Sequence, residues 1–253
     1  MSLFEELLED GQEDNKLIVK SFETKDTLSP QIFELQGKSY ILRDDIRKKL
    51  IEIADEFIDT FGVKFFVHDI VLTGSLANYT WSDFSDVDLH VVIDFKESKY
   101  NSDIIKEFFD AKKNNWNEKH NIIIKGYDVE VYVQDLNEEH VSSGVYSVLH
   151  NKWLVKPKIN KPKIDDRLIL QKAKTYENKI GSILIKSSNG TDVSKEADEL
   201  RKKIKDFRQS GLDKGGEYSY ENLVFKLLRR NGTIEKLLKV KTKMVDKKLS
   251  LPQ

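Results

Sequence analysis

The chain contains no cysteine, which excludes disulfides and thiolate metal sites. Of its five histidines, His68, His120, His140 and His150 show no metal-ligand spacing with one another, so a zinc site is not expected either. No apolar run approaches the roughly 18 to 20 residues of a membrane span. The first residues, Met1 to Asp10, are acidic and lack the basic start of a secretory signal. These absences lead to the expectation of a soluble cytoplasmic protein without a membrane partner. What is present is enough for a real core: 39% of the 253 residues are hydrophobic and 34% are charged, which suits one large domain or two modest ones.

A net charge of −1 conceals a division. Residues 1–151 hold 16 Lys+Arg against 30 Asp+Glu, a net −14, and residues 152–253 hold 26 against 13, a net +13. The basic half suits a polyanion such as nucleic acid or a nucleotide tail, and equally suits pairing with the acidic half.

The chemistry-bearing stretch is Val71-Leu72-Thr73-Gly74-Ser75, followed after ten residues by Asp86-Val87-Asp88-Leu89-His90-Val91-Val92. On a strand, residues i and i+2 share a face, so Asp86 and Asp88 project side by side. Two adjacent carboxylates repel unless a cation lies between them, and an all-oxygen site favours a hard metal such as Mg²⁺. A Gly-Ser turn beside them lets backbone N–H groups approach a phosphate.

In chain order, a short helix is expected around Leu3, Phe4, Leu7 and Leu8, as part of an N-terminal docking arm. A small hairpin is expected over Ile32 to Leu42 with Gly37 in its turn. An amphipathic helix then runs from Asp44 or Asp45 through Ile46, Leu50, Ile53, Ala54, Phe57 and Phe61 to Gly62. Strands are read at Val63 to Thr73 and Asp86 to Asp94, and a helix from Ser102 to Asn117. Next comes a hairpin, Asn121 to Lys125 and Asp128 to Gln134, turning at Gly126-Tyr127. Its second strand alternates: Val129, Val131 and Val133 face one way, while Asp128, Glu130, Tyr132 and Gln134 face the other. A further hairpin spans Val145 to Leu149 and Lys152 to Val155. The remainder reads as helices, Asp165 to Lys186, Ser194 to Gln209, one capped by Ser219 and ended at Asn231-Gly232, and a last one from Thr233. This gives a domain over residues 1–155 that includes the N-terminal arm, a Lys/Pro linker over 156–163, and a basic helical domain over 164–253.

With Gly74-Ser75, Asp86-x-Asp88 and a strand-borne third acid, the sequence resembles the nucleotidyltransferase superfamily, whose fold is shared with polymerase β. The stretch from Asp69 to Trp81, the segment Glu130 to Asp135 and the segment Gly215 to Arg230 look like uncharacterised predicted nucleotidyltransferases of tailed phages. The resemblance implies an α+β fold, a mixed palm-type sheet with helices, followed by a C-terminal helical domain. It also implies two Mg²⁺ ions held by Asp86, Asp88 and Glu130, and a nucleoside triphosphate such as ATP along Gly74-Ser75. Asp128, on the same strand face, remains an alternative to Glu130, since many members carry Asp at the third position. Transfer of a nucleoside monophosphate to an acceptor hydroxyl would release pyrophosphate. The acceptor could be an RNA end, a protein or a small molecule, with the basic half favouring RNA. For a phage-encoded protein the location implied is the host cytoplasm.

Lys226, Arg229 and Arg230 lie off the leucine stripe of their helix, and could hold a triphosphate or an RNA backbone or simply be solvated. Tyr79, Trp81 and Phe84 could stack on a base or pack on the domain. His90 shares the face of Asp88. Asp83 reads as a solvated loop acid or a cap, and Tyr218 and Tyr220, flanking a helix cap, could hold a base, with core packing the favoured reading. The competing expectation from another class is an inactive module of the same fold that binds nucleic acid or a protein through its basic helices.

Overall fold

Strands form where β-branched residues cluster, and helices where apolar residues recur at three- and four-residue steps. The computed structural model describes residues 13–98, 100–138 and 142–251, so the helix expected from Leu3, Phe4, Leu7 and Leu8 lies outside it. Those residues form two compact units, 24–161 on one side and 13–23 with 162–251 on the other.

In the first unit, β1 (Phe33–Gln36) and β2 (Ser39–Leu42) make a separate antiparallel hairpin. Helix α2 (Asp44–Asp59) follows, with Asp44 and Asp45 in its first turn, where the helix dipole favours acids. The main sheet is mixed, in the order β5-β6-β4-β3-β7-β8. It comprises β3 (Val67–Thr73), β4 (Val87–Ile93), β5 (Ile123–Ile124), β6 (Tyr127–Asp135), β7 (Val145–Ser147) and β8 (Lys152–Val155). Only β4 and β6 run parallel, and α3 (Ser102–Lys119) lies between them in the chain, as a parallel connection requires.

Period-2 alternation sorts the sheet into two faces. Ile70, Leu72, Val87, Leu89, Val91, Ile93, Val129 and Val131 join Leu50, Phe57, Ile105 and Phe109 of the helices in one buried core. The opposite face carries Asp88, His90, Glu130 and Tyr132. The turn between β5 and β6 is centred on Lys125 (φ 52°) and Gly126 (φ 88°), not on Gly126-Tyr127 as expected. Both central residues of such a two-residue turn need positive φ, and Tyr127 instead begins the strand with its ring buried.

The second unit contains α1 (residues 13–20), α4 (Asp166–Ser188), α5 (Ser194–Gly215), α6 (Tyr220–Arg230) and α7 (Thr233–Leu249). Asp165 caps α4 and Ser219 caps α6 through their side-chain oxygens. The N-terminal segment was expected with residues 1–155, and here the structure differs. Ile18, Val19 and Phe22 are buried among Ile169, Tyr176, Leu227 and other residues of the helical core. Asn15 and Asn231 both donate to Glu177 at 2.9 Å, so apolar burial and a shared polar knot tie α1 to the helical unit. No helix among the described residues is long and apolar enough to cross a membrane.

Candidate active site

Asp88 stands on β4 with Thr73 of β3 beside it on one flank and Glu130 of β6 on the other, each as its Cα partner. Asp86 lies immediately before β4. One carboxylate oxygen from each of Asp86, Asp88 and Glu130 falls within 4.8 Å of the other two, and all three residues are half-buried. Asp128 is exposed and does not join this group, so of the two acids it is Glu130 that the structure clusters with Asp86 and Asp88. Three anions at this spacing repel by on the order of 3 kcal/mol per pair at an effective dielectric of 20, so the cluster is suited to holding positive charge. A donor set made only of carboxylate oxygens fits a hard divalent cation such as Mg²⁺ or Mn²⁺.

The turn before the acids is built to let them in. Gly74 has φ +73°, and a β-carbon there would overlap the Asp88 carboxylate. Glycine is therefore required twice over, by backbone conformation and by space. Ser75 Oγ donates to Ser85 Oγ at 2.8 Å, and Ser85 Oγ also accepts from the Ser82 N–H at 3.0 Å. Ser85, which sequence reasoning passed over, thus ties the loop before Asp86 to the Gly-Ser turn. Its only signal was its position directly before Asp86.

Tyr132 was also missed as a site residue, although its i+2 spacing from Glu130 places it on the same face. Its phenol donates a hydrogen bond to Glu130 Oε2. Burial, the bond to Glu130 and the nearby charges of Glu130, Asp88 and Asp86 all push the phenol pKa far up, so the hydroxyl keeps its proton. His90 stacks on the Tyr132 ring at 4.9 Å, and the Lys113 ammonium lies 5.5 Å from the ring centroid. Asn117 of α3 accepts from the Val131 N–H and donates to the Val131 carbonyl, both at 3.1 Å. An amide side chain takes the place of a neighbouring strand at the residue between Glu130 and Tyr132.

The aromatic loop separates on inspection. Tyr79 packs against the core, and Trp81 donates from Nε1 to the Thr27 carbonyl at 2.8 Å, whereas Phe84 is 44% exposed. Asp83 is exposed in the same loop. Lys226, Arg229 and Arg230 belong to α6 of the helical unit. Burial pushes the Lys226 amine down; Glu217 opposes this, and Arg230, Arg229 and Arg208 add to it. Arg230 donates to Ser21 Oγ at 2.7 Å and lies over the Phe22 ring, which fastens the N-terminal segment to α6. Arg208 lies over the Phe225 ring and donates to Asn222 at 3.2 Å. Tyr220 packs, its hydroxyl donating to the Leu168 carbonyl at 3.1 Å.

No curated protein matches the chain in a sequence comparison. Residues 48–164, the stretch that contains Gly74-Ser75 and all three clustered carboxylates, match the family model of the nucleotidyltransferase domain, and this match together with the mixed sheet supports a polymerase β-like nucleotidyltransferase fold for that part of the chain.

Proposed function

We propose that the protein is a divalent-metal-dependent nucleotidyltransferase that moves a nucleoside monophosphate from a nucleoside triphosphate to an acceptor hydroxyl. The observation that carries this reading is the convergence of Asp86, Asp88 and Glu130 beside the Gly74-Ser75 turn, within the stretch that matches the nucleotidyltransferase family. In the reaction, the acceptor oxygen forms a bond to the α-phosphorus, the bond from that phosphorus to the β-phosphate oxygen breaks, and pyrophosphate leaves. The acceptor proton passes to solvent or a nearby base. Two Mg²⁺ ions bound by the three carboxylates would supply charge stabilisation for the attacking and leaving oxygens.

The residues of the chain have separate tasks in this scheme. Asp86, Asp88 and Glu130 bind the cations, and Gly74 admits Asp88 to the cluster. The Gly74-Ser75 backbone and the Ser75 hydroxyl hold the outer phosphates, with Ser85 fixing the serine. Phe84, exposed in the loop before Asp86, is suited to stack on a base. RNA is the acceptor favoured by the basic helices, whose positive charge suits a phosphodiester backbone. The intact acid cluster weighs against an inactive binding module of the same fold, because anions this close are costly to retain without a cation.

The test is incubation with each labelled nucleoside triphosphate, Mg²⁺ and total RNA or cell extract, beside an Asp86→Ala/Asp88→Ala variant. Label should enter an acceptor with the wild type alone. Equal absence of labelling together with equal nucleotide affinity would sink the enzyme reading.

A further inference from the structure

Tyr132 hydrogen-bonds the third carboxylate while lying outside the metal-ligand set. Its ring is held by two contacts and the backbone beside it by a third. It stacks on His90 at an interplanar angle of 27°, it receives the Lys113 ammonium, and its strand neighbour Val131 is clamped through both backbone groups by Asn117. Parallel pairing sets His90 against Tyr132 one step along from Asp88 against Glu130, so the two pairs stand in adjacent rungs on one face. The glutamate has a longer, more mobile stem than the aspartates beside it. A carboxylate on three rotatable bonds loses more freedom on binding a cation than one on two, unless something holds it in advance.

We propose that Tyr132 is the positioning residue of this centre: its phenol, clamped by His90 and Lys113, holds Glu130 in a fixed rotamer as a cation ligand. This rests on the reading of Asp86, Asp88 and Glu130 as a cation site. The phenol occupies one lone pair of Oε2 and leaves the remaining lone pairs of the carboxylate open to a cation. The device also accounts for the use of glutamate where a shorter acid would need no guide.

The test is direct Mn²⁺ binding, followed by electron paramagnetic resonance, on wild type, Tyr132→Phe, Tyr132→Gln and Asp86→Ala/Asp88→Ala. Removing a hydrogen-bond partner of a metal ligand weakens metal affinity by about 10-fold or more. Tyr132→Phe should show that loss, with kcat falling and the KM for nucleoside triphosphate little changed. Tyr132→Gln, which keeps an N–H donor, should recover part of the affinity. In a Glu130→Ala background, which removes the acceptor, the Phe change should cost nothing further. A purely structural role would instead lower the melting temperature, leave Mn²⁺ affinity of the folded protein intact and persist in the Glu130→Ala background. Wild-type affinity in Tyr132→Phe, or an affinity no higher in Tyr132→Gln than in Tyr132→Phe, overturns the proposal alone. Absence of Mn²⁺ binding by the wild type overturns it together with the cation site. Should Tyr132→Phe fail to fold, Tyr132→Gln with and without Glu130→Ala decides: equal losses in both backgrounds overturn the proposal.

Discussion

The Asp88 carboxylate occupies the space that a β-carbon on Gly74 would need. The turn and the acid are therefore a single fitted unit, and the glycine is fixed by its neighbour as well as by its φ of +73°. Gly74→Ala should push Asp88 aside by an ångström or more. A displacement of that size near reacting groups costs about 10²-fold in rate. Transfer activity and Mn²⁺ affinity should both collapse in this variant, while far-UV circular dichroism stays close to that of the wild type.

Clustered carboxylates trade stability for function, and the trade should be visible without cation. In the presence of EDTA, Asp86→Asn should melt above the wild type, because one of three mutually repelling charges is gone. Mg²⁺ should reverse the order. At a hundredfold excess over Kd, a ligand specific for the folded state adds about 2.7 kcal/mol to the wild type. Paired thermal melts with EDTA and with Mg²⁺ measure both effects, and an unchanged order would remove cation binding from the centre.

Asn117 substitutes for a strand at the edge of β6, and its loss should be felt at Glu130. Asn117→Ala strands the N–H and the carbonyl of Val131, each at a cost of about 1–3 kcal/mol if water does not reach it. Asn117→Asp keeps the acceptor for the N–H and loses the donor, so its cost should fall between wild type and alanine. Denaturant unfolding gives the ranking directly.

Ser85→Ala removes the acceptor of both the Ser75 hydroxyl and the Ser82 N–H. A stability loss of about 1 kcal/mol is expected. The more telling readout is kinetic: a freed Ser75 should raise the KM for nucleoside triphosphate several-fold with a smaller effect on kcat. Unchanged KM would separate Ser75 from phosphate binding.

Burial depresses the Lys226 pKa below its ordinary 10.5, which gives pH a definite sign. Between the depressed folded value and 10.5, the unfolded chain binds more protons than the folded one, so wild-type stability rises with pH across that window. Below it the buried charge is a constant penalty. Lys226→Met removes penalty and slope together: the variant should melt higher at pH 7, with the advantage shrinking toward pH 10.5. An advantage that is constant over that range would show that burial of the charge is not its cause.

Local patterns made much of this molecule legible. Asp86 and Asp88 read as a pair from strand periodicity alone, and Val129, Val131 and Val133 marked the buried face of β6. What could not be read was register. Both Asp128 and Glu130 face the open side of β6, and only the pairing of β4 with β6 sets Glu130 opposite Asp88. Turn placement had the same limit, since Gly126 serves Lys125-Gly126 or Gly126-Tyr127 equally well until the strands are paired. Helix α5 overran the expected end at Gln209 because Gly211, which resembles a stop, is needed for packing: a β-carbon there would collide with Ser219 and Glu221 at the start of α6. The N-terminal segment had apolar spacing at Ile18, Val19 and Phe22, but nothing local said which core would receive it.

The parallel pairing of β4 with β6 has a consequence for folding. Asp88 and Glu130 meet only after the chain between them has passed through α3, a non-local closure that is slow to form and easy to misalign. A slip of one residue would turn Glu130 toward the apolar layer and bring a valine to the open face. Misaligned chains would thus lose cation affinity as well as core packing. A divalent cation present while the sheet assembles would then act as a proofreading template, favouring the one register in which all three oxygens can reach it.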